Sequence, residues 1–179
     1  MAVQTSYEVN TGVAYEGLPY DLTNHNALGR SAEGSSIRFG AAVEHGTGDN
    51  QAVLPDAANL LTNGATSGNF LGIVMREHVR GQKSIEDSAN LAPPLGLDKN
   101  YAEVTESVSV KTAGRIWIKT ELAAVQGDPV YYRHTVLTTE LLGAISNATS
   151  AENNLIVGAK FITSAGAGEL AVIELATGV

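Results

Sequence analysis

The clearest hydrophobic pattern lies between residues 104 and 119. Val104, Val108 and Val110 share the even-numbered positions from 104 to 111 with Glu106, and Thr, Ser and Lys take the odd-numbered ones. A period of two is typical of a β-strand with one buried face. Residues 112–115 then have turn chemistry, with a glycine at position 114, and residues 116–119 are mostly apolar again. We therefore predict a β-hairpin in this part of the chain.

Short apolar runs elsewhere also predict strands. They occupy residues 36–43, 70–75, 130–133, 155–162 and 169–175. Turn segments such as Gly127-Asp128-Pro129 separate them, and helical periodicity is sustained almost nowhere. Several short strands joined by tight turns predict an all-β protein, either an antiparallel β-sandwich or a small barrel of the β-tulip type. We place this single domain at residues 36–179, and residues 81–100 form its longest predicted loop.

The N-terminal residues 1–35 show a different pattern. Apolar side chains are scattered among Asn, Thr, Gly and Glu, and Pro19 argues against a helix. Two interpretations fit: an extended arm that reaches another protein, or an edge strand folded back onto the chain's own sheet. The scattered apolar residues are Tyr7, Val9, Val13, Tyr15, Leu18 and Tyr20. We predict an extended N-terminal arm at residues 1–35.

Composition removes several classes of function. The chain has 179 residues, no Cys and a net charge of -8 from 11 Lys+Arg and 19 Asp+Glu. Without Cys the protein has no disulfide and no thiolate nucleophile. Nucleic-acid binding needs clustered cations, and here the basic residues are diluted by carboxylates, so we expect no nucleic-acid partner. No apolar stretch approaches the about 18 residues of a membrane span, and no secretory signal is visible, so we expect no membrane partner and synthesis in a cytoplasm.

Candidate catalytic chemistry is sparse. No nucleophile elbow, phosphate-binding loop or dinucleotide fingerprint occurs, so we predict neither enzyme activity nor a cofactor. A hydrolase that uses Asp128 and His134 is the catalytic alternative, because a fold can bring distant side chains together. The histidines are far apart in sequence and form no metal-ligand motif. They are His25, His45, His78 and His134.

A series of short motifs, in a fixed order, resembles one protein family. The motifs are Ile37–Glu44, Phe70–Val74, Gly114–Ile118, Gly127–Tyr132, Leu137-Thr138, Ile156–Phe161 and Gly168–Leu175. Their order and spacing resemble those of the structural cement (capsid decoration) proteins of tailed bacteriophages, over most of residues 1–175. Residues 55–69 and 81–100 are longer than we expect for that family.

The resemblance implies a function without catalysis. A cement protein lies on the outer face of an icosahedral phage head, binds the major capsid protein and stabilises the expanded lattice. The family commonly forms small oligomers, so we expect a homo-oligomer, a trimer before a dimer. The expected location is the virion, after synthesis in a bacterial cytoplasm. The alternative is another virion β-module, such as a tail or host-surface-binding component.

The N-terminal segment is the part of the chain that we predict to contact the capsid. An extended arm can add a strand to the exposed sheet edge of a neighbour, and aromatic or Leu anchors are typical of binding hot spots. The predicted capsid-binding residues are the six scattered apolar residues, Tyr7, Val9, Val13, Tyr15, Leu18 and Tyr20.

Overall fold

A computed structural model describes residues 14–21, 26–56, 69–76, 101–102, 104–136 and 141–176. Within these ranges the strands are β1 (Asn26–Ala32), β2 (Ile37–Arg38), β3 (Ala42–His45), β4 (Gln51–Val53), β5 (Phe70–Val74), β6 (Tyr101–Ala102), β7 (Ser107–Lys119), β8 (Pro129–Arg133), β9 (Ile145–Ser146), β10 (Asn153–Phe161) and β11 (Leu170–Leu175). The described part of the chain contains no helix. The prediction of an all-β fold with a small barrel is confirmed.

Five strands close into a barrel. Their order is β1-β4-β3-β5-β7, and β1 also pairs with β7, which completes the circle. Only the β1–β4 pair among them is parallel. Closure removes the exposed sheet edges that would otherwise pair with other chains. The short β2–β6 pair adds Ile37 and Ala102 to the same buried cluster as the barrel interior.

Strand β7 belongs to two parts of the molecule. It has 13 residues, and its burial alternates along most of its length. Residues 107–113 pair with β1, whereas residues 114–119 pair with β11. The predicted hairpin is therefore wrong, because the chain does not reverse at residues 112–115. Gly114 sits within the strand with a φ of 92°, where the strand passes from one sheet to the next.

The second half of β7 begins a second sheet. Its order is β7-β11-β10-β8-β9, and the neighbouring strands are antiparallel. A parallel bridge between Thr120 and Ile145 brings β9 back to the end of β7. The predicted strands at 155–162 and 169–175 are confirmed as β10 and β11. The predicted strand at 130–133 is confirmed as β8.

Strands β3 and β5 form a wall between two buried clusters. Successive side chains of a strand point to opposite faces. Accordingly, Val43 and Val74 belong to the barrel cluster, whereas Ala42 and Ile73 belong to the cluster under the second sheet. Both faces of these strands are buried, which explains why their sequences are apolar runs without alternation. The predicted strand at 70–75 is confirmed as β5.

The predicted strand at 36–43 is wrong in detail. The chain forms β2, turns at residues 39–40, and only then forms β3. Gly40 has a φ of 76°, which a side chain would disfavour, and its N–H donates to the Val74 carbonyl at 2.8 Å. A tight turn at residues 39–40 therefore interrupts the segment that the apolar pattern predicts to be one strand.

The predicted arm and loops are described only in part. Within residues 1–35, β1 pairs with β4 and β7, and residues 14–21 lie along β7. The division into an arm at 1–35 and a domain at 36–179 stays a prediction. The predicted loop at residues 81–100 lies outside the described residues.

Candidate functional site

Residues 14–21 form an edge beside the second half of β7. The Gly17 N–H donates to the Trp117 carbonyl at 2.8 Å, and the Tyr20 N–H donates to the Arg115 carbonyl at 3.0 Å. These bonds have the antiparallel order of a β-ladder. The backbone of this segment is therefore paired within the chain's own sheet, so its side chains are what it can offer to a partner.

Gly17 fixes the segment at the point where β5 ends. Its φ is 81°, and a Cβ atom there would lie 2.8 Å from the Arg76 nitrogen and 2.9 Å from the Val74 oxygen. The Arg76 N–H also donates to the Gly17 carbonyl at 2.8 Å. Only glycine allows this close approach of two backbones. The segment is thus anchored on both β5 and β7.

Two of the predicted capsid-binding residues present exposed aromatic rings. Tyr15 is 54% exposed and Tyr20 is 48% exposed, whereas Leu18 is half-buried. The Tyr20 ring lies 5.7 Å from the Trp117 ring, and the Arg76 guanidinium lies 5.1 Å from the Tyr15 ring centre. These contacts already restrict the two tyrosine side chains, so binding a partner would cost less conformational entropy.

The other predicted residues of this set are not placed. Tyr7, Val9 and Val13 lie outside the described residues. The structure therefore brings together Tyr15, Leu18 and Tyr20 on one short edge and leaves the role of all six as a prediction.

Two clefts meet at the end of β7, and we call them together the Lys119 groove. One, of about 280 Å³, is lined by Tyr15, Phe39, Arg76 and Lys119 among others. The second, of about 200 Å³, is lined by Arg38 and again by Lys119. Gly168 also lines both clefts, so they are adjacent. The groove borders the exposed Tyr15 ring, and sequence patterns gave no sign of it, because its residues come from separate strands and loops.

A buried polar pair joins the barrel wall to the second sheet. Glu44 of β3 is 1% exposed, and the hydroxyl of Tyr132 in β8 donates to its Oε1 at 3.0 Å. The Tyr132 ring also packs on Phe70 at 5.4 Å between centres. Among the described residues, Glu44 Oε2 is buried without a hydrogen-bond partner.

The environment of this pair changes both acidities. Burial raises the pKa of Glu44, and the hydrogen bond from Tyr132 opposes that change. Burial, together with the nearby Glu44 charge, raises the pKa of the Tyr132 phenol. Sequence patterns gave no sign of this pair. Glu44 follows an apolar run, and an acidic residue at a strand end is ordinarily solvated.

The residues of the catalytic alternative have structural partners. The Asp128 carboxylate accepts hydrogen bonds from the Val125 N–H at 2.9 Å and the Asn147 amide at 2.8 Å, and both lower its pKa. His134 Nδ1 lies 3.0 Å from the Thr135 hydroxyl, and burial lowers the pKa of His134. Within the described ranges, no hydrogen bond joins Asp128 to His134. The carboxylate thus closes the turn before β8 by accepting from the N–H of a residue three positions earlier.

Across the parts of the chain that the structure describes, no group of three or more His, Asp or Glu could hold a metal ion. Over the same ranges, no helix has the length and hydrophobicity needed to cross a membrane.

The comparisons with known proteins decide the family. Residues 3–176 match the family model described as structural cement protein, E217 gp24/Pam3 gp6. The chain belongs to the structural cement protein family. The resemblance expected from the motifs is therefore confirmed, and so is the role of a capsid cement or decoration protein. The alternative of a tail or host-surface component is not favoured.

A solved structure supports the fold of this cement protein. A chain of the structure entitled "The capsid of Myoviridae Phage XM1" is similar over 100% of both chains, with a TM-score of 0.67 and 15% sequence identity. At that identity the likeness shows a shared fold. No curated protein matches the sequence.

Proposed function

We propose that this cement protein binds the outer face of an icosahedral phage head and stabilises the expanded capsid lattice. The observation that carries the proposal is the family match over residues 3–176. The net charge of -8 supports the outer face, because packaged DNA repels an acidic protein. The partner is the major capsid protein, and the location is the virion after synthesis in the bacterial cytoplasm.

The proposed mechanism is thermodynamic linkage. A protein that binds only the expanded lattice lowers the free energy of that state by about 2.7 kcal/mol per site at a hundredfold excess over Kd. An oligomer that touches several capsid subunits adds avidity. We infer a homo-oligomer, a trimer before a dimer, and no requirement for catalysis, cofactor, nucleic acid or membrane.

The capsid contact is assigned to the N-terminal residues Tyr7, Val9, Val13, Tyr15, Leu18 and Tyr20. Within residues 14–21 the backbone already pairs with β7. The contact of this part is therefore made by side chains, chiefly by the exposed rings of Tyr15 and Tyr20. Tyrosine combines a large apolar ring with a hydroxyl, and for that reason it is enriched at binding hot spots.

Co-sedimentation with purified heads tests the function. The protein is mixed with expanded empty heads and, separately, with unexpanded heads. We expect saturable binding to expanded heads alone. Equal binding to both, or to neither, would contradict stabilisation of the expanded lattice. Sedimentation equilibrium of the free protein tests the trimer.

Two variants test the contact. The double variant Tyr15→Ala/Tyr20→Ala is expected to lose about thirtyfold or more in affinity for expanded heads, since truncation of even one hot-spot residue costs about 2 kcal/mol. The matched control is Val125→Ala, which shortens a 63% exposed side chain in the turn before β8. A deletion of residues 2–13 removes Tyr7, Val9 and Val13 and keeps the hydrogen-bonded edge. Unchanged binding by both test variants would refute the N-terminal contact.

A further inference from the structure

The Lys119 groove concentrates positive charge in an acidic protein. Of the eight Lys and Arg residues in the described parts of the chain, three line this groove: Arg38, Arg76 and Lys119. The whole chain has a net charge of -8. A local reversal of the overall sign creates a field that selects negatively charged partners.

The carboxylates in the groove are already engaged. Glu16 forms an ion pair with Arg38 at 3.9 Å, and Glu121 forms one with Arg133 at 2.9 Å. Lys119 is exposed, and within the described ranges no carboxylate lies in ion-pair distance of its ammonium group. Lys119 lies where the two clefts meet, so its charge is available to an occupant of either cleft.

The two arginines of the groove are held in position. The Arg76 guanidinium lies 5.1 Å from the centre of the Tyr15 ring and 5.4 Å from that of Phe39. Such cation–π contacts orient the guanidinium group. The Arg38 side chain is 26% exposed, and its Nε is buried without an acceptor among the described residues. Both guanidinium groups therefore have contacts within the chain, and Lys119 carries the charge that is open to an occupant.

The walls of the groove favour a protein segment over a nucleic acid. Leu170 and Ala14 line the first cleft, and Leu141, 55% exposed, lines the second. An occupant that carries carboxylates beside apolar side chains matches both features. A phosphate backbone would find three cations within an acidic surface, which offers too little counterion release.

We propose that the Lys119 groove binds an acidic segment of the capsid protein, with a carboxylate of that segment against Lys119. This inference rests on the proposed function and names the chemistry of the partner. The groove is continuous with the predicted capsid contact, because Tyr15 lies on its wall. That continuity favours the capsid protein over a second copy of this chain.

Charge reversal at Lys119 tests the inference. The variant Lys119→Glu and the matched control Lys160→Glu change the net charge equally, and both positions are exposed strand residues. Binding to expanded empty heads is measured by co-sedimentation at several salt concentrations. We expect Lys119→Glu to lose about tenfold in affinity and most of the salt dependence, whereas Lys160→Glu stays within about twofold of the wild type. Thermal unfolding verifies folding, and Lys119→Gln replaces Lys119→Glu if the latter does not fold.

The outcomes separate this inference from the proposed function. If the wild type binds expanded heads and the two charge variants bind them with equal affinity, the inference about the groove is wrong and the cement function is unaffected. Absence of wild-type binding to heads overturns the function. If charge reversal instead abolishes salt-dependent self-association of the free protein and head binding is unchanged, the occupant is a second copy and the inference is wrong.

Discussion

The barrel and the second sheet bury side chains of different sizes. The barrel cluster consists mostly of Ala and Val, with Phe39 as its largest member. The cluster under the second sheet contains six isoleucines together with Phe161 and Tyr132. A barrel of five strands has a narrow interior, whereas a sheet that packs on a barrel wall leaves a layer about 10 Å thick. The strongly curved barrel therefore holds small side chains, and the flatter second sheet holds larger ones.

The two halves nevertheless share structure. Strand β7 runs through both, and β3 and β5 contribute to both clusters. Because β3 and β5 are buried on both faces, displacement of either strand would expose side chains of both clusters to water. The protein therefore has two cores that we expect to unfold as one cooperative unit, and perturbing each half separately tests this expectation.

The largest effect is expected from Phe161→Ala in the larger core. Phe161 is 1% exposed, and its removal costs about 3–5 kcal/mol of unfolding free energy. In the barrel, Val43→Ala removes less volume and costs about 2 kcal/mol. Urea unfolding is followed by the fluorescence of Trp117, the single tryptophan. Both variants shift one common transition. Two separate transitions would show that the halves unfold independently.

Substitution of Gly72, in the wall that β3 and β5 form, should destabilise the fold nearly as much. In Gly72→Ala, the new methyl group overlaps the Lys111 carbonyl oxygen, a backbone atom of the neighbouring strand. We expect a loss of about 3 kcal/mol, since the barrel cannot close without a shift of β5 or β7. Gly29→Ala in β1 is the control, because no atom lies within 4 Å of the added carbon. Similar melting temperatures for the two variants would contradict this explanation.

The hydrogen bond between Tyr132 and Glu44 is expected to contribute less to the free energy of unfolding than the core contacts do. Tyr132→Phe removes the hydrogen bond to Glu44 Oε1, and Oε2 of this buried carboxyl already lacks a partner among the described residues. We expect the free energy of unfolding to fall by about 1–3 kcal/mol. In the control Tyr131→Phe, the lost hydroxyl accepts a bond from Thr149 at an exposed site, so a change below about 1 kcal/mol is expected. Equal losses in chemical denaturation would mean that burial of the pair is unimportant.

The smallest effect at neutral pH is expected from Glu44→Gln. Burial raises the pKa of Glu44, so the native state keeps its proton to higher pH than the unfolded chain does. This carboxyl therefore stabilises the fold most at acidic pH, and its contribution falls as the pH rises above the ordinary carboxyl range. Glu44→Gln removes that fall and changes stability at pH 7 by about 1 kcal/mol or less, because a buried amide also lacks a partner.

Denaturation at a series of pH values measures this dependence. The control Val125→Ala shortens an exposed, uncharged side chain and leaves every carboxyl in place, so it should keep the wild-type slope. If Glu44→Gln also keeps that slope, Glu44 does not titrate with a raised pKa.

Local patterns predicted the strands that lie between clear turns. Residues 155–162 and 169–175 could be recognised as strands because a glycine-rich turn separates them and their apolar content is high. The interpretation of residues 112–115 as a turn failed, since Gly114 bends a continuous strand and a bend has the same local chemistry as a reversal. The order of the motifs indicated the family, which no single motif could do.

The polar features of the site depend on distant parts of the chain. Glu44 and Tyr132 are separated by 88 positions, and Lys119 meets Arg38 only through the packing of the two halves. Neither pairing leaves a trace in local periodicity. The exposed rings of Tyr15 and Tyr20 could be proposed from the sequence, but the pairing of their backbone with β7 could not.

The continuity of β7 also determines how the protein transmits mechanical load. Its 13 residues extend about 40 Å, and antiparallel partners flank both of its halves. Tension applied along this strand passes through covalent bonds, and the flanking ladders are loaded in shear, so many hydrogen bonds must break together. We therefore expect a higher unfolding force for a pull along β7 than for a pull across its ladders, where the hydrogen bonds break one at a time.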